Sequence, residues 1–427
     1  MKRTPGSALC LALAVMLQLS ACIDFDEEER NACKRDPTLC PDTSADGGDA
    51  GTPRGDGGPD ASTGSGTDGG ADSGTDGGTD GGASPDAGLG HWETMKSMGM
   101  PRIAHTATRL KDGRVLVVGG NNGGTTLATA ELYTPETDSW IDAGTMSSGR
   151  ESHTATELPD GRVLVVGGLN NQIAVNTADL FTPGANTWTP TGSMLKARAT
   201  HIAALLPSGK VLVAGGGPAQ GNAEDSAEVY NPGSGTWVTT GTMTYARNAP
   251  AAVSLDGGAV LVTGGFNEGP PVMTADLYDP SKNTWAPVPG QTAVSRSSHT
   301  ATLLTSGQVL LAGSNINSAP DMSCDRYDPA TGTWHVAGTL HEGRRFHTAT
   351  LLSSGAVLVT GGQTATTAML RTAELYLPAS DEWVRIPSMT VGRSYHAATL
   401  INGGGVLIVG GVNEATGPLR SVEKYIP

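Results

Sequence analysis

One phrase recurs along most of the chain and constrains its fold more than any other feature. "HTATRLKDGRVLVVGG" at 105–120 returns as "HTATELPDGRVLVVGG" at 153–168, and looser versions begin at 201, 299, 347 and 396. Arginine recurs in step with the phrase, at Arg102, Arg150, Arg198, Arg247, Arg296, Arg344 and Arg393. An aromatic pair, Tyr or Phe and then Trp, follows the same steps of 48 or 49 residues, which indicates seven structural units.

The turn signals in each unit separate four short predicted strands. "HTATRL" alternates and ends at Lys111-Asp112-Gly113, which is a hairpin signal, and "RVLVVGG" is an apolar strand ended by a double glycine. "TAELYTPETDSW" is a strand broken by a proline turn, and "WIDAGTM" is a fourth strand. No segment has a helical period. Four antiparallel strands in seven copies predict an all-β, seven-bladed β-propeller.

The double glycine and the aromatic pair of each unit resemble the motif of the kelch family. The motif residues are Gly119, Gly120, Tyr133 and Trp140; Gly167, Gly168, Phe181 and Trp188; Gly215, Gly216, Tyr230 and Trp237; Gly264, Gly265, Tyr278 and Trp285; Tyr327 and Trp334; Gly361, Gly362, Tyr376 and Trp383; and Gly410, Gly411 and Tyr425 with Trp92. The fifth unit departs from the motif with Gly313-Ser314. The resemblance covers residues 91–427 and implies a kelch-type propeller with radial blades.

The ends of the repeat predict how the ring closes. Trp follows Tyr or Phe by seven residues in six units, but the chain ends two residues after Tyr425. Trp92 and the segment "WETMKSM" precede the first repeat arginine. We therefore expect this segment to form the outer strand of the seventh blade, pairing with "SVEKYIP" and removing an exposed edge.

The recurring polar residues are expected to be structural. Six histidines follow the repeat arginine by three positions: His105, His153, His201, His299, His347 and His396. A histidine cluster suggests a metal site. However, each histidine belongs to a different blade, so the six would not converge on one ion. Hydrogen bonding between strands or blades is therefore the favoured interpretation. The arginines are expected to bond carbonyls or carboxylates between blades, and the tryptophans to pack between blades. The fourth unit has Pro250 in place of histidine.

No catalytic signature is present, since the chain lacks G-x-S-x-G, H-E-x-x-H and a P-loop. The kelch resemblance includes enzymes, among them copper oxidases and sialic-acid mutarotases. The oxidases need a Cys-crosslinked Tyr and gathered histidines, whereas Cys324 lies in a repeat strand and is expected to fill a small buried slot. We predict no catalytic residue, no metal and no cofactor.

The loops after the double glycines vary between units, from "NNGGTTLAT" to "VNEATGPLRS". A constant scaffold with one variable loop set is typical of a binding surface. We therefore predict a scaffold that recognises a protein or a glycan. The alternative is a carbohydrate-active enzyme of mutarotase or lyase type, which would use polar residues at the channel mouth. A structural envelope component without a discrete site is a third possibility.

The first residues read as an export signal. Lys2 and Arg3 precede an apolar stretch, Leu9–Leu19, that is too short to span a bilayer. Leu19-Ser20-Ala21-Cys22 resembles the bacterial lipoprotein box, which implies acylation of Cys22 after removal of residues 1–21. A plain signal peptide with unmodified Cys22 is the alternative. The predicted location is the bacterial cell envelope, where the acylated protein is attached to a membrane through its lipid. The outer membrane or cell surface is favoured over the inner membrane.

Residues 22–90 are predicted to be a disordered acidic tether ahead of the propeller at 91–427. The segment is rich in Gly and Asp and poor in apolar residues. Cys33 and Cys40 are expected to form a local disulfide, with two free thiols as the alternative. Loose calcium binding is a further alternative, although the aspartates have no regular ligand spacing. The whole chain has a net charge of −15 and no basic patch, so we expect no nucleic-acid partner. We expect a monomer.

Overall fold

The computed structural model of the protein describes residues 88–218, 222–267, 271–316, 319–366 and 368–427. These ranges form seven antiparallel four-stranded sheets and three two-residue hairpins, without any helix. The predicted all-β propeller of seven blades is confirmed. Cys22, Cys33, Cys40 and the tether up to residue 87 lie outside the described residues. No helix in the described ranges is long and apolar enough to cross a membrane.

The first two strands of each blade lie nearest the axis. The first strands neighbour one another around a central channel. They are Thr106–Arg109, Thr154–Glu157, Ile202–Leu205, Ala251–Ser254, Thr300–Leu303, Thr348–Leu351 and Ala397–Leu400. The second strands are Val115–Val118, Val163–Val166, Val211–Ala214, Val260–Thr263, Val309–Ala312, Val357–Thr360 and Val406–Val409.

The other two strands of each blade lie toward the rim. The third strands are Thr129–Thr134, Ala178–Thr182, Ala227–Asn231, Ala275–Asp279, Cys324–Asp328, Ala373–Leu377 and Val422–Ile426. The fourth strands are Ser139–Thr145, Thr187–Thr191, Thr236–Thr239, Thr284–Pro287, Thr333–Ala337, Glu382–Ile386 and, for the seventh blade, His91–Met95. Small hairpins follow the second strand in three blades, pairing Leu169–Asn170 with Ile173–Ala174, Asn315–Ile316 with Ala319–Pro320, and Val412–Asn413 with Gly417–Pro418.

The hydrophobic core lies between the blades. In the strand Val115–Val118, Val115 and Val117 pack with the seventh blade, whereas Leu116 and Val118 pack with the second. A strand that is covered on both sides needs apolar residues at every position. This explains the continuous apolar run before each double glycine.

The ring closes through its N-terminal strand. His91–Met95 pairs with Val422–Ile426, and Trp92 lies opposite Tyr425. The Trp92 indole donates a hydrogen bond to the Pro387 carbonyl at 2.6 Å, so it also contacts the sixth blade. The predicted closure is confirmed, and it pairs an edge that would otherwise be exposed.

The antiparallel strands define two faces of the ring. The links from fourth to first strands, together with the variable loops after the second strands, emerge on one face, which we call the loop face. The tight turns within each blade emerge on the opposite face, the turn face. His91 begins a fourth strand, so the chain enters the ring at the turn face.

The repeat arginines tie neighbouring blades together. The Arg150 backbone N–H donates to the Leu127 carbonyl of the first blade at 3.1 Å. Its guanidinium reaches the second blade, donating to the Gly167 carbonyl at 2.9 Å and to Asp179 at 2.7 Å. The seven arginines are fully buried. Their carboxylate partners are Glu131, Asp179, Glu228, Asp276, Asp325, Glu374 and Glu423.

Candidate functional site

The aromatic residues of the repeat pack the blades and form no open platform. Tyr or Phe and Trp lie opposite each other on the third and fourth strands, with ring centroids 4.8–5.2 Å apart in all seven blades. The Trp188 indole also donates to the Ala143 carbonyl of the preceding blade at 2.8 Å. The Trp188 side chain therefore contacts both its own blade and the preceding one.

The first glycine of each pair makes room for the next blade. Gly119 has a φ of +63°, and a Cβ there would lie 2.5 Å from the Arg150 carbonyl oxygen and 2.8 Å from Cε1 of His153. A side chain cannot fit at this position without moving the neighbouring blade. The glycine series is thus part of the interface between blades.

Five of the six repeat histidines, all but His105, also bond a hydroxyl of the preceding blade. His153 Nε2 lies 3.0 Å from the Thr106 hydroxyl of the preceding blade. His299 uses Thr263 instead, because Ala251 stands where that blade would supply the threonine. Burial lowers the pKa of His105, His201 and His347 to about 3 and holds the pKa of the other three well below the usual value. All six are therefore neutral structural residues at pH 7.

The described residues do not fit a copper centre of the oxidase type. Cys324 is fully buried in a third strand, and burial raises the pKa of its thiol to about 12. The repeat histidines remain one per blade. No group of three or more His, Cys, Asp or Glu in the described ranges is placed to hold a metal ion.

A collar of backbone surrounds the channel mouth on the loop face. It consists of the residues two positions after each repeat arginine, all with φ between 48° and 54°: Ala104, Ser152, Thr200, Ala249, Ser298, Phe346 and Tyr395. Successive members are joined by backbone N–H···O=C bonds of 2.9–3.3 Å at six of the seven steps. The step from Ala249 to Thr200 lacks one. We call this ring the collar.

Two adjacent collar positions carry aromatic rings. Phe346 and Tyr395 stack with centroids 4.1 Å apart and an interplanar angle of 21°. Both are half-buried. The Arg345 guanidinium carbon lies 5.4 Å from the centroid of the Phe346 ring. Large side chains are uncommon in the left-handed region, so this pair distinguishes the sixth and seventh blades from the other five.

A buried carboxyl lies beside the collar in the second blade. Glu151 directly precedes collar residue Ser152 and is only 5% exposed. The Asn121 side chain hydrogen-bonds its carboxyl, while Oε2 has no hydrogen-bond partner in the described structure. Burial raises the pKa of Glu151 to about 7. A carboxyl with that pKa can hold or release a proton near neutral pH.

The collar was not predicted from the repeat. Its members differ in side chain and share only a backbone conformation, which composition does not reveal. One signal was available: the second position after the repeat arginine is Ala, Ser or Thr in five units and aromatic in two.

The fold and the interblade contacts match a known motif. The family model for the kelch motif matches residues 104–147, 152–195 and 247–291. The ring is a seven-bladed β-propeller with kelch motifs in its first, second and fourth blades. No curated protein sequence matches the chain significantly.

Solved structures share the kelch-type fold. A copper complex of a fungal alcohol oxidase of the AA5 family superposes with a TM-score of 0.65 and 20% sequence identity, over 79% of this chain and 76% of that one. The structure of YjhT superposes with a TM-score of 0.54 and 14% identity, over 69% of this chain and 99% of that one. At these identities the likeness concerns the fold.

Proposed function

We propose that this protein is an exported lipoprotein whose kelch-type propeller binds a protein or glycan through its loop face. Cys22, within Leu19-Ser20-Ala21-Cys22, is the proposed acylation site, and the acidic segment up to residue 90 is the proposed spacer. Acyl chains contribute about 0.8 kcal/mol per buried methylene, so a multiply acylated cysteine supplies a stable anchor. The proposed state is a monomer in the bacterial cell envelope.

The observation that carries the proposal is where the chain enters the ring. The spacer joins His91 on the turn face, and the Leu89 carbonyl accepts a hydrogen bond from the Tyr425 hydroxyl at 2.8 Å on that side. The variable loops and the collar lie on the opposite face. We propose that an anchor reached through the turn face leaves the loop face open to ligands.

The chemistry around the channel mouth favours binding. Hydrolysis of glycosides by the usual route needs a pair of carboxyls flanking the bond. Among the residues that directly follow the seven repeat arginines and border the collar, Glu151 is the only carboxyl. The rest of the collar consists of hydroxyl, methyl and aromatic side chains.

A second candidate function is supported by Glu151 itself. In a carbohydrate-active enzyme of mutarotase or lyase type, a proton carrier with a pKa near the working pH is required. Glu151 has that pKa, and Arg345 borders the collar in the sixth blade. Proton NMR of anomer exchange in free aldoses tests this candidate. Acceleration by the protein that is lost in Glu151→Gln supports it, and exchange at the uncatalysed rate rejects it.

The anchor is tested by fractionating cells that express single cysteine variants. Cys22→Ser should release the protein from membranes, because it removes the acylated side chain. Cys33→Ser is the matched control and should stay in the membrane fraction. Retention of Cys22→Ser on membranes would show that the lipoprotein assignment is wrong.

The binding face is tested with variants of exposed apolar residues. Ile173 and Leu195 lie on the loop face and are 71% and 68% exposed, whereas Val238 lies on the outer rim and is 61% exposed. Ligand retention, measured on a glycan array and by cross-linking in the envelope, should fall for Ile173→Asp with Leu195→Asp and persist for Val238→Asp. If the wild-type protein bound no ligand in either assay, the recognition function would be rejected.

A further inference from the structure

We propose that the stacked rings of Phe346 and Tyr395 form the platform of a subsite for a neutral sugar ring at the mouth of the channel. This inference rests on the proposed binding function and names its ligand class. Nothing in the repeat requires aromatic rings at these positions, because five other blades close the collar with Ala, Ser or Thr.

Two collar positions combine a left-handed backbone with a large aromatic side chain. Phe346 has a φ of 54° and Tyr395 a φ of 52°. Non-glycine residues with large side chains rarely adopt this region, and such outliers cluster at ligand sites. Ala104 and Ala249 adopt the same conformation without an aromatic ring. The collar therefore does not need the rings for its own structure.

The stacked pair is partly exposed at the mouth of the channel. Both rings are half-buried, while the residues on either side of them along the chain are buried. The stack therefore presents aromatic surface at the mouth and is not part of the core between the blades. The repeat tryptophans differ in this respect. Trp188, for example, packs on Phe181 of its own blade and donates a hydrogen bond to the preceding blade.

The other five collar residues carry hydroxyl or methyl groups. Ser152 and Thr200 supply hydroxyl groups from the second and third blades, on the other side of the mouth, and each is half-buried. Ser298, also half-buried, supplies a hydroxyl from the fifth blade, next to Phe346. A pyranose presents an apolar C–H face and a rim of hydroxyls, which suits an aromatic platform facing hydroxyl partners. None of the seven collar side chains is charged. This composition favours a neutral sugar over an anionic one.

The experiment uses the full-length protein in detergent and an array of neutral tetrasaccharides of glucose, mannose and N-acetylglucosamine, with uronic-acid oligomers for comparison. Wild-type protein should retain at least one neutral oligomer. Tyr395→Ala and Phe346→Ala should each weaken that binding about tenfold or more, because each removes part of the platform. Tyr245→Ala is the control, since Tyr245 is exposed on the same face but lies outside the collar.

Folding is checked by the unfolding midpoint, which should fall only modestly in both collar variants, because the ring stack is lost but alanine already occupies two equivalent collar positions. Retention of neutral sugar by both collar variants would overturn the placement of the subsite. Retention of uronic-acid oligomers alone would overturn the ligand class. If the wild-type chain bound a protein partner but no sugar, the sugar subsite would be wrong and the binding function would stand.

Discussion

Trp92 lies directly opposite Tyr425 in the seventh blade, with ring centroids 5.2 Å apart. The two residues come from opposite ends of the propeller sequence, and their contact joins the ring. In the other six blades the equivalent pair belongs to one continuous hairpin. The seventh blade is therefore the only one, among the described strands, whose fourth strand is not connected to its third.

Loss of the Trp92 side chain should weaken this closure. Trp92→Ala is expected to lower the free energy of unfolding by about 2–4 kcal/mol, since it removes a large half-buried ring and the hydrogen bond to Pro387. Urea denaturation measures the change. Trp188→Ala, which removes the same contacts within a continuous blade, should cost a similar amount.

The closure is tested more directly by truncation. A chain beginning at Gly88 should remain monomeric, whereas one beginning at Ser97 lacks the fourth strand of the seventh blade and should associate through the exposed edge. Equal stability and a monomeric state for both chains, by light scattering, would refute the closing role of the strand.

Removing a repeat arginine should be far more harmful than removing an exposed one. Arg150→Met leaves Asp179 fully buried without its cation and should cost about 3–5 kcal/mol of unfolding free energy. Arg114→Met breaks a partly exposed pair with Asp112 and should cost less than about 1 kcal/mol. Arg150→Lys keeps the charge but loses the planar fork, so it should fall between them. Equal losses for Arg150→Met and Arg114→Met would contradict the tying role.

The buried histidines should make the propeller sensitive to acid. Their folded pKa values lie near 3 or well below normal, whereas an unfolded histidine titrates near 6.5. The unfolded chain therefore binds more protons below pH 6.5, and stability falls as the pH is lowered from there. Each residue contributes a slope of about 1.4 kcal/mol per pH unit.

Urea denaturation between pH 5 and pH 8 measures this slope. His153→Gln should reduce the slope by about 1.4 kcal/mol per pH unit, because it removes one buried titrating group. His335→Gln is the control, since His335 is exposed on a fourth strand. A stability that does not change between pH 5 and pH 7 would show that the repeat histidines are not held neutral.

Glu151 should make the propeller less stable as the pH rises, which is the opposite of the effect of the histidines. Burial raises its folded pKa from 4.5 to about 7, so the folded chain binds more protons than the unfolded chain in that window. Its contribution to stability is therefore lost as the pH rises from about 4.5 to about 7. Glu151→Gln should be more stable than wild type by about 2–3 kcal/mol at pH 8 and equal to it at pH 4.5. Glu136→Gln, at an exposed turn, should match wild type at both pH values. A Glu151→Gln variant that loses stability at pH 8 would show that the carboxylate is needed in the fold.

Much of the interface between blades could be predicted because each contact recurs. The Arg150 and His153 positions appear in successive units, so a role between blades was the simplest common explanation. The carboxylate partner of each arginine was not singled out, since the Asp179 position is aspartate in three blades and glutamate in four. The pairing of Thr263 with His299 was also beyond prediction, because it depends on which neighbouring strand can offer a hydroxyl.

The chain by itself determined the number of blades, the four strands of each and the identity of the closing strand. These properties follow from a period and a hydrophobic pattern, which are local and one-dimensional. Only the tertiary structure decided that Phe346 meets Tyr395, that Glu151 is buried beside the collar and that the chain enters on the turn face. Those relationships depend on the curvature of the ring, which brings residues from separate units to one mouth, and no spacing along the sequence encodes that curvature directly.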